Sequence, residues 1–189
     1  MSFTARCRLT SSTRNTFTNS TTRFRMSNEM LAGQCRYLLS QAEPMLDGLR
    51  DEHAHLEPIP GNKTAGWILG HLCITGDFGR RLCGRKSICP PEWRNTFRPG
   101  TQPETEATNY PPIADLCETF RAVYMDLCDA IVNADDASLS TPNPFEPARP
   151  AFPTGREFVP YLMTGHLGYH IGQLGDWRRA AGLGHKGHL

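Results

Sequence analysis

The chain has 189 residues, a length that accommodates one domain. Its 20 Lys and Arg against 19 Asp and Glu leave a formal charge of +1, which excludes a strongly basic nucleic-acid binder and an acidic solvating tail. No apolar run approaches the roughly 20 residues a membrane span needs, and the seven scattered cysteines form no Cys-x-x-Cys pair, so they read as reduced thiols of a cytosolic protein rather than a disulfide scaffold or Cys-based zinc finger.

Residues 1–25 differ from the rest. They contain Arg6, Arg8, Arg14, Arg23 and Arg25, no acid, and 11 Ser or Thr. That composition reads either as a mitochondrial or chloroplast transit peptide or as an extension upstream of a start at Met26. The first reading places the protein in an organellar matrix, the second in the cytoplasm. In both, the segment lacks the apolar residues to offset its ordering entropy and is expected to be disordered, which leaves residues 26–189 as the folded domain.

The first predicted helix covers about 27–51. Leu31, Cys35, Leu38, Ala42, Met45, Leu46 and Leu49 recur at helical spacing, and Pro44 is expected to kink it. The second covers about 63–83, with Asn62 as N-cap and Gly84 as terminator. Its apolar stripe contains Trp67, Ile68, His71, Ile74, Thr75, Phe78 and Leu82. A connection of about 84–110 carries Trp93 and Phe97, and connections that long are often functional. The third helix starts at Pro111-Pro112 and carries Leu116, Phe120, Tyr124 and Ile131 inward. After a proline-rich stretch at 134–153, the fourth opens on the capping box Thr154-Gly-Arg-Glu157 and continues to about Ala181, with Pro160 distorting its first two turns. Strand-period alternation is absent. Four amphipathic helices of this length predict an all-α four-helix bundle, up-down or crossover.

The histidines carry the chemistry. His53, His55, His185 and His188 fall in polar or glycine-rich stretches and are expected in solvent. His71, His166 and His170 each replace an apolar residue on an inward stripe. His166 and His170, four apart, lie about one turn apart on one face, a separation that lets two imidazoles reach one ion. Burying three imidazoles costs several kcal/mol unless shared partners compensate. By spacing alone, a metal site and three hydrogen-bonded core histidines both remain open.

The segment Trp67-Ile-Leu-Gly-His71-Leu resembles the second-helix signature of DinB-like proteins, and His166-Leu-Gly-Tyr-His170-Ile-Gly-Gln173 resembles their fourth-helix signature, His-x-x-x-His-x-x-Gln. The long connection with Trp93, Phe97 and Pro99-Gly100 is similar to the family's link between helices two and three. Together these elements span about residues 27–184. The resemblance implies a four-helix bundle in which His71, His166 and His170 hold one divalent ion. Three imidazoles suit zinc, nickel, copper or iron, with zinc and nickel the leading expectations. Gln173 is placed to hydrogen-bond a ligand imidazole. Trp67, Thr75, Trp93 and Phe97 are candidates for the pocket wall.

One position departs from the pattern. Many members have Glu after the first fourth-helix histidine, where this chain has Leu167. Metalloproteases of the zincin type need that Glu as general base, so proteolysis is disfavoured. Asp77 and Asp176 lie round their helices from the histidines, and Tyr169 is expected to point elsewhere. Some DinB-like relatives use such a site for thiol-dependent transfer, so the resemblance implies a metal-dependent thiol S-transferase acting on a small electrophile, with a low-molecular-weight thiol as co-substrate. The alternatives are a non-catalytic metal- or ligand-binding bundle and a metal-dependent hydrolase. The expected partner is a small molecule, with no nucleic acid and no membrane. Gly165, Gly168, Gly172 and Gly175 recur at spacings of 3 and 4 on the fourth helix. They are read either as close packing within the bundle or as the seam of a homodimer. The Arg178-Arg179 pair suits the end of that helix's dipole.

Overall fold

The computed structural model describes residues 15–103 and 110–184, and of residues 15–21, 23 and 24 the backbone only. Most of the expected leader therefore lies outside the described residues, as do His185 and His188. The fold is all-α, with no strand among the described residues. No helix described is long and apolar enough to cross a membrane.

Helix α1 spans Asn15–Leu46. It is already helical through residues 15–25, ahead of the expected start at Ser27, since an established helix extends at the cost of one residue per added hydrogen bond. Its first core contacts come later: Asn28 is buried and donates from Nδ2 to the carbonyl oxygen of Ile131 at 2.9 Å, and Ala32, Cys35 and Leu39 follow inward. Pro44 sits inside the final turn, and the chain leaves the helix through Gly48 at φ 72°, a left-handed conformation open to glycine. The helix thus ends at Leu46, short of the expected Asp51. Short α2 covers Asp51–Ala54.

Helix α3 spans Ala65–Leu82 and is capped by Thr64, whose hydroxyl accepts from the Trp67 amide at 3.3 Å, instead of by Asn62. The connection that follows holds short α4 (Trp93–Phe97). Helix α5 spans Ile113–Val132; its first amide donates to Asp51 Oδ1 at 2.8 Å. Short α6 covers Asp136–Leu139. The fourth predicted helix exists in three pieces: α7 (Gly155–Tyr161), a π-helical turn at Leu162–His166, and α8 (Leu167–Ala180). The capping box is formed: the Thr154 amide donates to Glu157 Oε2 at 2.9 Å, and the Thr154 hydroxyl accepts from Arg156 N at 3.2 Å. Pro160 brings no amide to the ladder, and its carbonyl takes a bond from Thr164 Oγ1 at 2.7 Å. The wider π turn follows directly, and such turns recur at functional sites.

Helices α1 and α3 each pack against α5 and against the π turn and α8. Ile68 and Leu72 of α3, Leu116, Phe120 and Leu127 of α5, and Met163 and Leu167 beside the π turn are almost fully buried between them. Close helix approach occurs on α3. A Cβ on Gly66 would lie 2.6 Å from the Ala54 carbonyl oxygen, and one on Gly70 would lie 2.5 Å from the Phe97 ring. The fourth-helix glycines are less confined. Gly168 and Gly175 face Leu38 and Met45 of α1 at ordinary contact distance, whereas Gly165 and Gly172 are exposed.

Two buried cations organise the periphery. Arg178 is 2% exposed and donates to the carbonyl oxygens of Met45 (2.9 Å) and Asp47 (2.8 Å), closing the end of α1. This is a buried structural tie, beyond the dipole role its sequence position suggests. Arg80 is held between Asp77 and Asp126, each at 2.7 Å. His53 is likewise buried, accepting at Nδ1 from the Arg50 amide and meeting the Trp177 ring edge-on. The polar loop around it had suggested solvent.

Candidate metal centre

His71, His166 and His170 come together where α3 meets the π turn and α8. One nitrogen of each lies within 4.8 Å of those of the other two. The ring centroids are 5.1 Å apart for His71 and His166, 4.8 Å for His71 and His170, and 4.6 Å for His166 and His170.

The second nitrogens fix the chemistry of the first. His71 Nδ1 is 2.7 Å from the Phe97 carbonyl oxygen. A carbonyl only accepts, so Nδ1 carries the proton and Nε2 presents a lone pair. His170 Nδ1 is 2.7 Å from Gln173 Oε1, which makes it a donor by the same argument and leaves its Nε2 bare. Gln173 is oriented in turn by its Nε2 donating to Tyr169 Oη at 2.9 Å. Tyr169, expected to point elsewhere, therefore ends a relay Tyr169–Gln173–His170. Trp67 stacks on His71 with centroids 4.7 Å apart and planes 9° from parallel, its own Nε1 anchored on Thr101 Oγ1 at 2.9 Å. Thr75 returns its hydroxyl to the His71 carbonyl oxygen at 2.7 Å.

His71 Nε2 and His166 Nε2 are 3.1 Å apart, and His166 Nδ1 is buried without a hydrogen-bond partner. Two nitrogens about 2.1 Å from one ion are about 3.4 Å apart in a tetrahedron and about 3.0 Å as neighbours in an octahedron. The observed separation falls between them, so the His71 and His166 nitrogens already stand at the spacing of two ligands on one divalent ion. Burial pushes His166 down to about 3, with His170 and His71 adding to the effect. Burial also pushes His170 down to about 4; His71 adds and the Gln173 bond opposes. His71 is lowered by burial against the raising effect of the Phe97 carbonyl. At neutral pH all three are neutral imidazoles, the form that ligates.

His71 and His166 form the floor of a cavity of about 620 Å³. Its walls are aromatic: Phe78 from α3, Phe145 and Phe152 from the 140s segment, and Phe158 and Tyr161 from α7. Buried Asn143 shapes that segment by donating to the Phe152 carbonyl oxygen at 3.0 Å and accepting from the Phe145 amide at 3.0 Å. Trp93 and Phe97 are not in these walls. Phe97 is 0% exposed, stacked on Tyr110 and flanked by Trp93, so both belong to the core beneath the connection. Phe97 serves the site through its carbonyl oxygen, a contribution invisible at the level of residue type. The six described cysteines are free thiols, and none lines the cavity. No carboxylate among the described residues lines it either.

Fold and site together define a helical protein with a three-imidazole cluster, two members of which line an aromatic-walled cavity. The sequence profile of the DinB superfamily matches residues 34–174, and the chain belongs to that superfamily. No curated protein and no solved structure matches the chain significantly.

Proposed function

We propose that His71, His166 and His170 hold one divalent ion, zinc or nickel, and that the protein uses it to join a low-molecular-weight thiol to a small electrophile. The observation that carries this reading is the convergence of three neutral imidazoles, two of them held as Nδ1–H tautomers, with His71 and His166 at the floor of an aromatic-walled cavity. An ion held there keeps its full positive charge, because all its protein ligands are neutral, and so favours the thiolate form of a bound thiol. In the overall reaction a sulfur–carbon bond forms, the thiol proton leaves to solvent, and any leaving group departs with its bonding electrons. The chain's own residues do the positioning. Phe97 and Gln173 hold two imidazoles in the ligating tautomer. The aromatic walls offer an apolar surface to the electrophile. Tyr161, its ring 5.7 Å from that of His166, brings a hydroxyl-bearing side chain to the same wall.

Hydrolysis is less well supported. It needs a general base beside the activated water, whereas Leu167 is fully buried in the core and no carboxylate among the described residues lines the cavity. The test is turnover of glutathione or bacillithiol with 2,4-dinitrochlorobenzene by zinc- or nickel-loaded protein. A metal-dependent rate is expected. A rate no higher than that of the metal-free protein overturns the thiol reading.

A further inference from the structure

Three arginines stand at the cavity without a carboxylate partner among the described residues. Arg81 comes from the end of α3, Arg94 from α4, and Arg98 from just beyond it, and all three line the cavity and are solvent-exposed. Among the described residues none of them meets a carboxylate. The Arg81 guanidinium lies 6.0 Å from the Phe78 ring. Every other arginine with a described side chain is engaged: each forms an ion pair with Asp or Glu, except Arg178, which ties carbonyl oxygens. Among the described residues, guanidinium groups are thus engaged everywhere except around this opening. No described acid lines the cavity, and the low-dielectric aromatic walls focus the potential of the three guanidinium groups.

We infer that the cavity takes an organic anion with an apolar, planar body: an aryl or similarly flat carboxylate whose head meets Arg94 and Arg98 while its body lies among Phe145, Phe152 and Phe158. Guanidinium forks suit a carboxylate, and aromatic walls suit a ring. A cavity of about 620 Å³ lies within the usual range for a drug-sized ligand. The inference names the substrate class of the proposed function and rests on that reading only for the cavity it concerns. An anionic thiol such as glutathione shares the charged head but lacks the ring, so the two sources are separable.

The test is a calorimetric titration with 2-naphthoate, neutral 2-naphthamide and S-methylglutathione, on the protein as purified and again after chelator treatment. Naphthoate should bind about tenfold or more tighter than naphthamide, consistent with charge-assisted hydrogen bonds. Its affinity should fall with added salt, while that of naphthamide stays constant. Arg94→Gln and Arg98→Gln should each remove most of that preference. Arg85→Gln, at an exposed arginine paired with Asp126 outside the cavity, should leave it intact. Chelator-treated protein reports the arginine dependence without the ion, so failure of the metal reading and failure of this inference are distinguishable. Equal affinity for acid and amide, naphthoate binding that survives both substitutions, or S-methylglutathione binding as tightly as naphthoate with the same arginine dependence would each overturn it. The salt dependence of wild type decides the matter if either variant misfolds.

Discussion

His71 donates its Nδ1 proton to the main-chain oxygen of Phe97, 26 positions along the chain, at 2.7 Å. The bond exists because Gly70, one residue before His71, leaves room for the Phe97 ring. A Cβ there would stand 2.5 Å from that ring. A residue without a side chain thereby sets the orientation of its neighbour's imidazole. Gly70→Ala should displace Phe97 and weaken metal affinity about 10–100-fold, the usual cost of losing an outer partner of a ligating histidine. Competition against a zinc-binding dye reads the change. Wild-type affinity in a folded variant would disconnect Phe97 from the site.

Gln173 gives the complementary test, with less risk to the fold, since it is only half-buried. Gln173→Leu removes the acceptor that holds His170 Nδ1–H. Metal affinity should fall by a similar factor of about 10–100, with the melting temperature of the metal-free protein little changed. Tyr169→Phe, one step further out, should have a smaller effect in the same direction.

Acid should weaken the metal-free protein through these histidines. Their ordinary value is 6.5, and burial takes His166 to about 3 and His170 to about 4. Between those limits the unfolded chain binds protons that the native chain refuses. Stability is therefore complete above about pH 6.5 and is lost as pH falls toward 4. Urea midpoints at pH 7 and pH 4.5 should differ more for wild type than for His166→Gln, which lacks the largest of these shifts. Equal differences in the two proteins would contradict the depressed values.

Arg178 should matter for stability and not for the ion. Replacing it with Met takes the donor from the carbonyl oxygen of buried Met45 and removes the tie to exposed Asp47, a loss of about 1–3 kcal/mol for the buried acceptor. A lower urea midpoint with unchanged zinc affinity is expected. Loss of both together would place Arg178 in the site's support.

Much of the site is legible because histidines on apolar helical stripes are conspicuous and their spacing is a property of the helix. His71, one turn from Trp67, and the His166–His170 pair come together as that periodicity suggests, and Gln173 reaches His170 from three residues on. What stays hidden depends on backbone and on tertiary neighbours. The Phe97 carbonyl belongs to no residue type. The π turn at Leu162–His166 arises where Pro160 interrupts the ladder, so an unbroken fourth helix is the natural expectation. Trp93 and Phe97 look like cavity lining because they are large and lie in a loop; in three dimensions the core takes them, and Phe145 and Phe152, positioned by Asn143, form the wall. The arginine cluster escapes notice because counting charges cannot show which ones are paired. Of the fold, the helical segments are legible from periodicity. The ends of α1 are not, since Arg178 and Gly48 set one from outside the pattern, and helix continuation sets the other.

The claim on which the rest depends is that the three imidazoles share one ion. The most direct measurement is metal content by inductively coupled plasma mass spectrometry on untagged protein, before and after incubation with zinc or nickel, beside His71→Ala, His166→Ala and His170→Ala. The account predicts about one ion per wild-type chain, as three histidine ligands with an open coordination position would hold, and its loss in each variant. Folded wild-type protein that takes up neither metal, or variants that retain it, would contradict the account and leave the three histidines as hydrogen-bonded groups of the core.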